Sequence, residues 1–500
     1  MLFLKNRLLK MIKFLGVLLF LFNFQVIAQV QTIKILKAGN NEVYPKKKLV
    51  ILWKNVVLEH NGNIMHCDSA VVYKSDNSFL AYRNILIEDN ESIVLTGDSL
   101  KYFGDDQKAN IRGSVKLKSK EINLHAPSLD YNLKNKIAFF NQGAEITENK
   151  SNGNKINSKS GRFNALNNIL FFKDDVKLTN AEYTIQSDTL VYNTLNEISQ
   201  IIGQTTIVTE NSKINCHKGW FDSKNKVSSL KDSIVILSET HKLSADSLFY
   251  NEDLGQADVF GNVVLRDDTS HWEMIGERGF YDERIDSATV YEHSMLTQIN
   301  ENDTLKIFAD KFITKQANNY YELFCFNNVN IIGNRLNGTC DSLYYHEMDS
   351  LMYFYNDPVL WIEESQMTGD IINFKMNNGR IYEMEIIDNS FIITKKDSNH
   401  YDQIKGDYIK SYFIDNELKT MYINGRGKVI YFSGNEKKEI ISDANKVECE
   451  KMKLKFIKNN IDQVVFQSET FGSSEAISDT QNYKLDGFKI YDKTIPPNGE

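Results

Sequence analysis

From about residue 50 to residue 470 the chain runs in short stretches whose large apolar residues fall two apart, the period of a half-buried strand. Gly97-Asp98-Ser99-Leu100-Lys101-Tyr102 puts Leu100 and Tyr102 on one side, and Gly113-Ser114-Val115-Lys116-Leu117 does the same with Val115 and Leu117. Between such stretches lie turn formers, as in Gly104-Asp105-Asp106, Asn132-Leu133-Lys134-Asn135, Asn225-Lys226 and Asn377-Asn378-Gly379. No helical period of useful length follows residue 28. The pattern predicts an all-β chain.

The stretches repeat. The first motif returns as Ser187-Asp188-Thr189-Leu190-Val191-Tyr192, as Ala245-Asp246-Ser247-Leu248-Phe249-Tyr250 and as Cys340-Asp341-Ser342-Leu343-Tyr344-Tyr345. Degenerate copies place thirteen equivalent positions between 68 and 443, about 31 residues apart. The second motif returns as Asn84-Ile85-Leu86-Ile87, Gly261-Asn262-Val263-Val264-Leu265, Asn328-Val329-Asn330-Ile331 and Asp357-Pro358-Val359-Leu360-Trp361.

Each repeat supplies two strands and cannot bury its apolar side alone, so neighbours must stack around a continuous core. The expected architecture is an elongated β-jellyroll, a solenoid of stacked antiparallel strands. At about 4.8 Å per strand it rises about 9.6 Å per repeat, on the order of 120 Å in all. The expected divisions are a signal peptide over 1–28, regular repeats over 29–375, looser repeats over 376–480 and a tail over 481–500. The last two intervals lengthen to 37 and 36 residues.

Composition sharpens this reading without changing it. Of 500 residues 42% are hydrophobic and 25% charged, a globular balance, and only 5 are Pro, which fits uninterrupted ladders. Lys5, Arg7, Lys10 and Lys13 precede the apolar run Phe14 to Phe22 and the small-residue site Val26-Ile27-Ala28, the layout of a secretory signal. No Cys lies near that site, so a lipoprotein anchor is not expected. Removing those four cations takes the net charge from −8 to about −12, which argues against nucleic acid. The product is expected in an extracytoplasmic space.

Candidate chemistry is sparse. Cys67, Cys216, Cys325, Cys340 and Cys449 show no metal-ligand spacing, though Cys325 and Cys340 could pair. The nine His are scattered, and no nucleophile elbow or phosphate loop is present. The repeat acids Asp98, Asp188, Asp246, Asp310, Asp341, Asp370 and Asp407 read as turn-opening residues that hydrogen-bond the following backbone. No enzyme, metal or cofactor is expected.

The repeated Asp-Ser-Leu-x-Tyr followed by Gly-Asn-Val-x-Leu resembles the OstA-like family, which includes LptA-type periplasmic proteins of lipopolysaccharide transport. The cleanest copies are Gly97 to Tyr102 with Gly113 to Leu117, and Ala245 to Tyr250 with Phe260 to Leu265. The resemblance implies a taco-shaped β-jellyroll in the periplasm that shields lipid A acyl chains and leaves the sugars outside. It also implies partners: lipopolysaccharide, an inner-membrane transport complex and an outer-membrane translocon. The two complexes would join through end-strand β-augmentation, with end-to-end self-association left open. The chain then acts as a non-enzymatic bridge between the membranes. Its groove wall is expected to be Leu100, Tyr102, Val115, Leu117, Leu190, Tyr192, Leu248, Tyr250, Val263, Leu265, Leu343 and Tyr345. On that reading Leu248→Asp or Val263→Asp abolishes lipid crosslinking, and unchanged crosslinking in a folded protein contradicts the groove. The rival reading is a secreted structural solenoid, an adhesin or envelope scaffold, with a closed dry core. A carbohydrate-active β-helix enzyme is a weaker third.

Overall fold

The computed structural model describes residues 31–493, apart from short segments at 90–92, 151–152, 239–240, 268–270, 301–302, 318–319, 335, 378–379, 416, 436–439, 458–459 and 478–482. The expected signal peptide and Pro496-Pro497 fall outside the described residues. Those described are β-strands joined by tight turns, with two short 3₁₀ turns at Pro45–Lys47 and Glu283–Ile285. The all-β, antiparallel expectation is met. Contacts divide the chain into two units, residues 1–180 and 181–500.

In the first unit each strand pairs antiparallel with the next: Leu49–His60, Asn63–Tyr73, Ser78–Glu88, Val94–Phe103, Lys108–Lys118 and Ile122–Asn132. Shorter strands through Ile169–Thr179 complete it. Each pairing between the long strands is interrupted mid-strand by a register shift, as between Trp53 and Val56 or between Thr96 and Ser99, whereas the shorter strands lie in one face each. Each long strand therefore contributes one segment to each of two faces. Apolar side chains alternate inward from both faces, so that Leu117, Leu124, Leu129, Tyr131 and Phe172 are wholly buried between them.

The repeat motif makes the bend. At the shift, two consecutive residues take left-handed backbone angles: Lys54-Asn55, Arg83-Asn84, Gly113-Ser114 and, in the second unit, Asp232-Ser233 and Gly261-Asn262. The motif Asp of the preceding strand faces that bend. Asn84 Nδ2 donates to Asp68 Oδ2 at 3.0 Å, Asn262 to Asp246 at 2.9 Å, Asn328 to Asp310 at 2.9 Å and Asn389 to Asp370 at 3.0 Å. The motif acids thus sit at mid-strand and brace a neighbouring strand, rather than opening the turn between strands. Close approach explains the glycines: a Cβ on Gly113 (φ +83°) would lie 2.3 Å from Asp98 Oδ2.

The second unit has the same plan from Thr184–Asn193 to Thr470–Ala476. Beyond residue 380 its strands lengthen, to 19 residues in Glu417–Asn435 and 18 in Ile440–Ile457. Longer strands, not extra ones, stretch the last repeat intervals. The anticipated division at 375 is not where the contacts separate the units; it stays a proposal about motif regularity.

Part of the expected tail is docked within the second unit. Residues 483–493 cross the outside of one face, where two glutamine side chains hold the backbone. Gln403 Nε2 donates to the Tyr483 carbonyl (2.7 Å) and its Oε1 accepts from Leu485 N (2.8 Å). Gln366 does the same with Lys489 and Tyr491, both at 2.8 Å. Tyr483 and Leu485 cover a small apolar cluster of Ile430, Phe432 and Ala444. Ending the chain at residue 482 is expected to lower unfolding stability by roughly 3 kcal/mol, the sum of a few hydrogen bonds at about 1 kcal/mol each. A denaturant melt with an unchanged midpoint would show the contact to be idle.

Candidate functional site

In each unit the interior between the two faces is an extended apolar surface that the repeat builds. The twelve wall candidates lie on the inward side of their strands, four in the first unit and eight in the second. In the first unit Leu100, Tyr102, Val115 and Leu117 are fully buried. In the second unit Leu190, Tyr192, Leu248, Val263 and Leu343 are also buried, whereas Tyr250, Leu265 and Tyr345 are partly exposed. The motif therefore places these residues in the wall of the interior, most of them with no exposed surface to offer.

Among the described residues, polar contacts at two places span the faces of the first unit. His60, at the end of one face, places Nδ1 2.8 Å from the Tyr102 hydroxyl on the other. Asp89 accepts from the Tyr131 hydroxyl at 2.7 Å and pairs with Lys136 Nζ at 2.9 Å, with both charged groups nearly buried. Burial pushes the Tyr102 hydroxyl pKa up. Each contact joins residues 42 or 47 apart in sequence. The interior is closed there.

The interior of the second unit opens between residues 272 and 347. Trp272, Met274, Leu296 and Gln298 line one side of a cavity of about 110 Å³. Thr314, Tyr321, Glu322, Leu323, Tyr345 and Glu347 line the other. Nearby the tyrosines bond within one face instead of across: Tyr250 donates to Glu283 (3.0 Å) and Tyr281 to Asp286 (3.1 Å). Among the twelve expected wall residues only Tyr345 touches this cavity. Sequence reasoning missed Trp272, Leu296 and Leu323 because their strands carry degenerate motifs, although their period-two spacing was visible.

The cysteines offer little chemistry. All five are free and buried, so Cys325 and Cys340 remain unbonded on neighbouring strands. Burial pushes Cys67 up to about 12 and Cys216 to about 11. Cys449 is the exception: burial raises it, but hydrogen bonds from the Ser468 and Thr470 hydroxyls bring it down to about 7. Among the described residues no group of three or more His, Cys, Asp or Glu could hold a metal.

Comparison with known proteins adds one family match, over the first part of the chain. Residues 30–188 match the family described as OstA-like protein. That segment is similar to the OstA-like family. The OstA-like match covers the first unit and ends at Asp188, the first motif Asp of the second. Beyond it the Asp-to-bend hydrogen bond recurs at Asp246, Asp310 and Asp370, so the same local device continues past the matched residues. Among solved structures, one similar chain is LptH from Pseudomonas aeruginosa, described as the LptA-homologous periplasmic component of the lipopolysaccharide transport device. It is 16% identical, with 23% of this chain and 85% of LptH covered, at a TM-score of 0.21. No curated protein matches the chain significantly in sequence.

Proposed function

We propose that this chain is a non-enzymatic periplasmic lipid-binding bridge, which shields lipopolysaccharide acyl chains in its apolar interior during transport from inner to outer membrane. The observation that carries the reading is the opening of that interior in the second unit, in a chain whose residues 30–188 match the OstA-like family. Transfer needs no catalytic group. Each buried methylene stabilises the bound chain by about 0.8 kcal/mol, so a dozen of them would not desorb readily into water. Neighbouring inward positions of similar chemistry let a chain shift along the wall without crossing water, while net direction comes from an energy source elsewhere.

Partners would add to the strand ladder at its ends. Lys34–Lys37 and Asn40–Tyr44 both pair with Leu49–His60, and their outer edge meets no strand among the described residues. Ile35, Leu36, Val43 and Tyr44 are exposed there. This suits β-augmentation by the inner-membrane complex, or by another copy, with the translocon at the opposite end.

The closed interior of the first unit favours the second reading, a structural solenoid with a dry core. Photocrosslinking separates the two. A crosslinker at Leu323 or Tyr345, facing inward, should capture lipopolysaccharide in the envelope, and one at the exposed Lys311 should not. No lipid at any inward position, in a folded protein, would leave the scaffold reading standing.

A further inference from the structure

The cavity at Trp272 has a polar mouth whose charge is one-sided. His241 bridges the faces there, its ring 6.0 Å from Trp272 and edge-on to Tyr321 at 5.9 Å. Buried Asp267 lies 3.6 Å from His241 Nε2. Glu347 Oε2 accepts from the Tyr321 amide at 2.7 Å. Burial, followed by the carboxylates of Asp267, Asp286 and Glu347, pushes the Tyr321 hydroxyl pKa up. No Lys or Arg stands among the lining residues, and Glu347 is the acid that faces the mouth, since the Glu322 carboxylate accepts from the Tyr344 hydroxyl (2.8 Å) on the outer side of its strand. The walls beneath are Trp, Met and Leu. A void of about 110 Å³ is slightly smaller than the engineered one of about 150 Å³ that takes benzene, so it admits a short length of alkyl chain and little more.

We infer that this cavity takes a single alkyl chain whose polar end is uncharged or cationic, a hydroxylated or amino head, and disfavours a phosphate at its mouth. The inference rests on the lipid-binding reading and narrows its ligand. An alkyl chain seated against Leu296 and Leu323 brings its first polar atoms to the level of Tyr321 and Glu347. Hydroxyl or ammonium groups can donate to the Glu347 carboxylate there, whereas a phosphate brings like charge and mainly acceptors. A phosphorylated lipid would therefore enter with its phosphates turned away from this mouth, and its neutral sugar or amide region over it.

The test uses the full mature chain and three probes below their micelle concentrations: dodecylamine, dodecyl maltoside and dodecyl phosphate, followed by calorimetry. The amine and the maltoside are expected to bind, and the phosphate roughly tenfold more weakly, the scale of one like-charge contact at intermediate dielectric. Glu347→Gln keeps an acceptor for the Tyr321 amide but removes a charge, and should bring the phosphate to within about threefold of the others. Thr314→Phe fills the cavity and should remove binding of all three. Equal affinity for the three probes, unmoved by Glu347→Gln, overturns the head-group inference and leaves the lipid reading intact. No binding by any probe, or binding indifferent to Thr314→Phe, overturns both.

Discussion

Val263→Asp should unfold the second unit rather than leave a folded protein unable to hold lipid. Val263 follows the Gly261-Asn262 bend, pairs with Gly276 on the next strand and is 1% exposed. An aspartate there must bury a carboxylate against apolar neighbours, at a cost of at least about 4 kcal/mol. Chemical denaturation should show the loss as a midpoint shift or as absence of a folded baseline. A variant that melts like the parent would mean that the inner wall is hydrated at this point. Leu248→Asp carries the same expectation, because Leu248 is buried on the adjoining strand. Loss of crosslinking in these two variants would therefore report unfolding rather than a blocked groove. Contact with lipid is better tested at positions that border space, such as Thr314 or Tyr345.

The ladder was legible because one device is written into every repeat. An Asp on one strand and an Asn or Gly-Asn on the next meet at the bend, and the apolar residues two apart on either side turn inward. That spacing survives without knowledge of any distant contact. The bend itself was not legible as a bend. Arg83-Asn84 and Asp232-Ser233 read as ordinary polar strand positions, yet both residues of each pair take left-handed angles that split the strand between two faces. Consequently the motif reports where a strand turns, not where the interior is open. Leu117 and Leu265 occupy the same motif position, and only the second is partly exposed. Whether neighbouring walls meet depends on side chains in several strands at once, and on polar contacts between residues more than 40 apart, which no short window contains.

Those contacts carry the remaining large effect. Lys136→Met should cost the first unit about 3 to 5 kcal/mol, the range for removing one partner of a buried ion pair. Lys136 and Asp89 have side chains 7% and 0% exposed, and their 2.9 Å contact, together with the Tyr131 hydroxyl on the same carboxylate oxygen, ties the end of one face to the other. The variant retains a buried carboxylate with its cation gone. Asp89→Asn combined with Lys136→Met removes the charge as well, and keeps an oxygen to accept from Tyr131. The double variant should therefore recover much of the loss, a coupling readable in a double-mutant cycle. If Lys136→Met instead costs no more than an exposed pair, below about 1 kcal/mol, the contact does not hold the faces together.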